Sequence, residues 1–157
     1  MVQRVYLETS IISYLAARPS RDLITAARQQ ITHEWWAHRR SAFEICVSEL
    51  VVAEATAGDR DPAERRAQII RDMQLLSIPD EAVALAEKLV EAAGLLTRAA
   101  ADALHISIAA CHGIDYLLTW NSTHIANAEF RPKVERACRD NGFEPPVLCT
   151  PDELMGG

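Results

Sequence analysis

Hydrophobic positions along this chain follow two alternating rhythms: short apolar bursts, and longer stretches that recur every three to four residues. The burst VQRVYL at residues 2–7, rich in β-branched and aromatic side chains, reads as a first strand. IISYLAA then supplies a helical turn or two that stops near Pro19. From Ser20 a long helix is expected, because Ile24, Ala27, Ile31 and Trp35 recur at helical spacing and mark an apolar face. Trp36 lies about 100° round from Trp35, so it covers the edge of the core or else belongs to a partner surface.

AFEICV at 42–47 is the second expected strand, and Ser48 fits the N-cap of the helix SELVVAEATA. Gly58 and the polar GDRDP segment break the pattern, with Pro62 suited to the first turn of AERRAQIIRDM. LLSI at 75–78 reads as a third strand; Pro79 and Asp80 open the helix DEAVALAEKLVEAA, which Gly94 closes. Thr97 is the candidate N-cap of RAAADALHISIAACH, ended by Gly113, and IDYLLT at 114–119 is a fourth strand. A polar segment, a short helix near 131–140 and a fifth strand around VLCT complete the chain. Strands alternating with helices imply an α/β fold, a mainly parallel sheet of about five strands with helices on both faces. The 157 residues suit a single domain spanning 1–157.

Composition narrows the classes. With 49% hydrophobic and 24% charged residues the chain has globular, not disordered, composition. No apolar run approaches the ~18 residues of a membrane span, and the N-terminus lacks a signal-peptide pattern, so a cytoplasmic protein is expected. Cys46, Cys111, Cys138 and Cys149 form no CxxC pair and read as small buried residues. The histidines at 33, 38, 105, 112 and 124 show no zinc spacing. A net charge of −6 argues against a general polyanion binder. Yet Lys88 and Lys133 are the only lysines among 16 basic residues, leaving 14 arginines, whose planar fork suits phosphate.

In an open parallel sheet, function gathers at the carboxyl ends of the strands, where strand order reverses. Glu8 ends the first strand in VYLETS, and Asn121 follows the fourth in LLTWN. Glu54 sits in the helix after strand two, and Asp102 in the helix leading into strand four. Each has a plainer reading: Glu8 as a helix cap, Glu54 as a solvated acid, Asp102 as the partner of His105 three residues on. Asp102 stands out, because Ala99, Ala100, Ala101, Ala103, Leu104, Ile106 and Ile108 surround it and a buried carboxylate needs a partner.

VYLETS, SELVVAE, DALHISIA and LLTWNSTHIAN, in that order across nearly the whole chain, resemble the PIN-domain family, and within it the VapC-type toxins of bacterial toxin–antitoxin pairs. The resemblance implies a three-layer α/β/α sandwich and a metal-dependent ribonuclease with Mg²⁺ or Mn²⁺ as cofactor. It places the catalytic positions at Glu8, Glu54, Asp102 and Asn121, with Glu8, Asp102 and Asn121 as metal ligands. Ser10, Thr119 and His124 fall where substrate contact or orientation is expected. Products would carry a 5′-phosphate and a 3′-hydroxyl, and the partners would be RNA, an antitoxin and a second copy of the chain. Part of the dimer or antitoxin surface is expected on the Trp35–Trp36 helix, and Arg18, Arg21, Arg131, Lys133, Arg136 and Arg139 are candidates to hold RNA. Two departures mark this sequence. Glu8 stands where the family usually has Asp, and the neutral Asn121 where Asp is common. The alternative is a catalytically silent PIN-like module that binds RNA or protein. A haloacid-type phosphatase is disfavoured, since Glu8 and Ser10 replace its DxD.

Overall fold

The structure, a computed structural model, describes residues 2–94, 99–121, 123 and 125–156. Five strands, β1 (Arg4–Leu7), β2 (Glu44–Ser48), β3 (Gln74–Leu76), β4 (Tyr116–Leu118) and β5 (Val147–Cys149), form one parallel sheet in the order β3-β2-β1-β4-β5. Between them lie α1 (Thr9–Ala16), α2 (Leu23–His38), α3 (Glu49–Ala55), α4 (Arg60–Ile70), α5 (Asp80–Ala93), α6 (Ala100–Cys111) and α7 (Arg131–Asp140). A parallel sheet must be covered on both faces, and the β1 residues Val5, Tyr6 and Leu7 are accordingly all fully buried.

From β1 the chain moves outward through β2 and β3, then returns to the other side of β1 with β4 and β5. The order therefore reverses between β1 and β4, whose ends are level: Leu7 pairs with Leu118. A crevice outside these two carboxyl ends is the position such a topology reserves for a site. Helices of the expected three-layer α/β/α sandwich cover the sheet, and all five strands are shorter than the apolar bursts that predicted them.

The long helix differs from expectation. It begins at Leu23 with Asp22 as its N-cap, and its buried residues are Gln29, Thr32 and Trp35. Ile24 is 66% exposed and Ala27 is exposed, so the apolar stripe read from the sequence is not the stripe that packs. The polar residues can be buried because their bonds are made inside. Gln29 donates to the Arg18 carbonyl and accepts from the Ser20 amide, while Thr32 donates to the Arg28 carbonyl and accepts from the Trp120 indole. Trp35 is fully buried and stacks on Phe43, which removes it from any partner surface. Trp36 packs against the edge of the core with the Arg40 guanidinium 4.2 Å above its ring.

Gly94 closes α5 in a left-handed conformation (φ 65°), a C-cap that favours glycine. Thr97, the expected cap of the next helix, lies outside the described residues. In α6 burial begins at Ala103; Ala100 and Ala101 are exposed and Asp102 is half-buried, so this helix is not apolar all round at its start. The four cysteines are free thiols. Among the described residues no helix is long and apolar enough to cross a membrane.

Candidate metal centre

The crevice between β1 and β4 is built first by backbone. The Glu8 amide donates to the Leu118 carbonyl at 3.0 Å, continuing the β1–β4 ladder one residue past the strands. Glu8 is the N-cap of α1, and its carboxylate accepts from the Ser10 amide at 3.1 Å. Cap and site are thus one geometry: folding back over the first turn of α1 holds the carboxylate at the end of the sheet. The Ser10 hydroxyl also donates to Glu8, as does the Thr119 hydroxyl at 2.7 Å, and both bonds end on Oε1. Thr119 is fully buried and its oxygen accepts the Asn121 amide at 2.9 Å, tying the loop after β4 to the first acid. The Ser10 oxygen accepts the Trp120 amide at 2.9 Å and fixes the same loop from the other side.

Glu54 enters from α3, which Ser48 starts by accepting the Val51 amide. Its Oε1 accepts from the Thr9 hydroxyl at 2.6 Å and lies 2.7 Å from Nε2 of His105 in α6. His105 Nδ1 is 2.6 Å from the Tyr6 hydroxyl, which lies 2.7 Å from Ser48 Oγ. Burial opposes ionisation of Glu54, but the bonds from His105 and Thr9 outweigh it and hold the carboxyl below its usual value. Burial pushes the Tyr6 phenol strongly upward, so it stays neutral.

One ligand atom each from Glu8, Glu54 and His105 lie within 4.8 Å of one another. Among the described residues no Arg or Lys is paired with either carboxylate, and all their bonds end on Oε1, leaving Oε2 of both without a donor. Two carboxylates with oxygens left over are a donor set that suits a hard divalent cation. Asp102 is not within that 4.8 Å group. It lies in the first turn of α6, three residues before His105 and hence on the neighbouring turn of the same helix face. The Asn121 side-chain oxygen accepts the Thr123 amide at 3.2 Å. His124 lies outside the described residues.

Sequence reasoning missed the Tyr6 hydroxyl, Thr9 and the link from His105 to Glu54. A tyrosine inside an apolar strand is the signal that could have been used, because a buried phenol needs a polar partner. Of the cations expected to hold RNA, Arg131 and Arg139 are engaged with Glu153 and Glu144. Lys133 and Arg136 line a groove beside α5 and α7, while Arg18 shares another with Arg65 and Arg66. The Arg66 guanidinium donates to the carbonyls of Ala55 and Ala57, immediately after Glu54.

No curated protein matches the sequence. Among solved structures the chain is similar to VapC20 of Mycobacterium tuberculosis, described as a toxin that cleaves the sarcin–ricin loop. Identity is 15% and the TM-score 0.61, over 90% of this chain and 99% of that one. FitAB bound to an IR36 DNA fragment matches at 17% identity and TM-score 0.60, over 94% of each chain. VapBC2 from Rickettsia felis, bound to a promoter DNA fragment, matches at 18% identity and TM-score 0.52, over 76% of this chain and 89% of that one. Identities this low carry the fold. The family itself comes from sequence: the PIN-domain profile matches residues 5–130, a span that runs from β1 to the threshold of α7 and contains Glu8, Glu54, Asp102 and Asn121. This chain belongs to the PIN-domain family.

Proposed function

We propose that the protein is a Mg²⁺- or Mn²⁺-dependent ribonuclease, the toxin of a toxin–antitoxin pair. The observation that carries this reading is the meeting of Glu8 and Glu54 at the β1/β4 reversal, two acids with no cationic side chain between them among the described residues. Glu8 and Glu54 would hold the ion together with Asp102, and Asn121 would add a neutral oxygen. The ion, when bound, supplies Lewis acidity for phosphodiester hydrolysis. The protein's own part is orientation. Ser10 and Thr119 hold Glu8 Oε1, and Thr9 and His105 hold Glu54 Oε1, so Oε2 of each carboxylate would be left for the ion. Arginines, such as Arg18 with Arg65 and Arg66 in their shared groove, would offset the repulsion between an acidic site and an RNA backbone. The toxin description of VapC20 supports the same role.

The test is cleavage of a structured RNA by the purified chain during Mn²⁺ titration, with chelator as control. Cleavage should appear with the ion, vanish with chelator, and be lost in Asp102→Ala. An Asp102→Ala variant as active as the wild type overturns the nuclease reading.

A further inference from the structure

His105 could serve the centre in two ways: as a third ligand, or as the group that holds Glu54 in place. The hydrogen-bond network distinguishes them. His105 is 1% exposed, and Tyr6 and Ser48 are fully buried, so each polar hydrogen needs an acceptor inside the protein. Direction is set at one end by an atom that can only donate: the Val51 amide donates to Ser48 Oγ at 3.2 Å. The Ser48 hydroxyl hydrogen then goes to the Tyr6 oxygen, and the Tyr6 hydrogen to His105 Nδ1. That leaves the imidazole hydrogen on Nε2, pointing at Glu54 Oε1. The reverse order fails at both ends. It strands the Ser48 hydrogen without an acceptor among the described residues, and it sets a Nε2 lone pair against a carboxylate oxygen 2.7 Å away. An edge-to-face contact between Tyr6 and His105, with centroids 5.8 Å apart, fixes the ring plane as well.

Resting on the metal-site reading above, we infer that His105 is a positioning residue, not a metal ligand: Tyr6 and Ser48 lock it as the Nε2–H tautomer, and it orients Glu54. With Oε1 held by His105 and Thr9, only Oε2 remains for an ion. A line of buried polar groups from the start of α3 through β1 to α6 thus ends at the second acid of the site.

The tautomer is read directly in the full-length wild-type protein by ¹⁵N NMR of labelled histidine, with His105 assigned by its loss in His105→Gln. The Nε2–H form is expected; an Nδ1–H or doubly protonated ring overturns the inference. Mn²⁺ affinity, followed by magnetic resonance of the bound ion, supplies the second arm. His105→Leu should bind about ten- to a hundredfold more weakly, the usual effect of losing such a supporting bond. His105→Gln, which keeps an N–H donor, should stay near wild type, and Tyr6→Phe should fall between them. Tyr6→Phe also tests the relay if His105→Leu does not fold. Imidazole nitrogen coupled to bound Mn²⁺, or wild-type affinity in both His105→Leu and Tyr6→Phe, overturns the positioning role while leaving the metal site standing. Absence of Mn²⁺ binding by the wild type removes the metal-site reading and this inference with it.

Discussion

The two ends of the sheet handle charge in opposite ways. At the amino end, Arg4 lies 3.9 Å from Glu44, donates from its guanidinium to the His112 carbonyl, and donates its backbone amide to the Asp115 carboxylate. Asp115 returns a bond from its own amide to the Arg4 carbonyl. Opposite charges meet there, largely in solvent. At the carboxyl end, Glu8 is only 7% exposed and its neighbour Glu54 is also an acid. The described groups that hold them are one backbone amide, three hydroxyls and one imidazole. The amino end completes its own electrostatics. The carboxyl end keeps its two acids together with no Arg or Lys paired to them among the described residues, as the proposed metal site requires.

The sharpest way to break this contrast is to remove one charge without changing shape. Glu8→Gln keeps an oxygen that can accept from Ser10 and Thr119, so the apoprotein should melt within a few degrees of the wild type. Divalent-ion binding and RNA cleavage should both be abolished. Calorimetry should show the wild type gaining stability as Mg²⁺ or Mn²⁺ is added, about 2.7 kcal/mol at a hundredfold excess over Kd. Chelator should remove that gain, and Glu8→Gln should never show it. An equal gain in the variant places the ion elsewhere.

How far the sequence reaches depends on whether a property is local. The alternation of strands and helices, the Ser48 cap and the Gly94 stop are local, and each is found where the pattern predicts it. The α2 face is not local. Gln29 and Thr32 are buried because residues outside the helix, Arg18 for one and Trp120 for the other, complete their bonds, and an apolar periodicity cannot register that. His105 shows the same limit at the site. Spacing alone offered Asp102 as its partner, whereas the fold aims its Nε2 at Glu54, 51 residues away. Glu8 and Glu54 could be named from motifs; that they share one crevice required the strand order.

A smaller effect is expected from loosening the crevice while keeping its charges. Thr119→Val removes the hydroxyl that donates to Glu8 and accepts the Asn121 amide, inside a fully buried position. The Asn121 amide then loses its acceptor, a cost of about 1–3 kcal/mol. Denaturant unfolding should register that loss, and ion affinity should weaken less than in Glu8→Gln. Thr119→Ser, which retains the hydroxyl, should recover most of both. Equal behaviour of Val and Ser at this position would show that the hydroxyl does not organise the loop.

The smallest effect should come from repeating the Glu-to-Gln change at the other end of the sheet. Glu44 starts β2 directly opposite Arg4, and its side chain is 59% exposed, so the 3.9 Å pair sits in solvent-screened surroundings. Exposed pairs of this kind contribute about 0–1 kcal/mol. Glu44→Gln should therefore shift the denaturation midpoint barely, and less still at high salt. Arg4 keeps its bonds to the His112 carbonyl and the Asp115 carboxylate in either case. Divalent-ion affinity should equal that of the wild type, because removing a negative charge matters only where a cation is held. If Glu44→Gln weakened the ion as Glu8→Gln does, the protein's net charge, and not the crevice at β1 and β4, would be what attracts it.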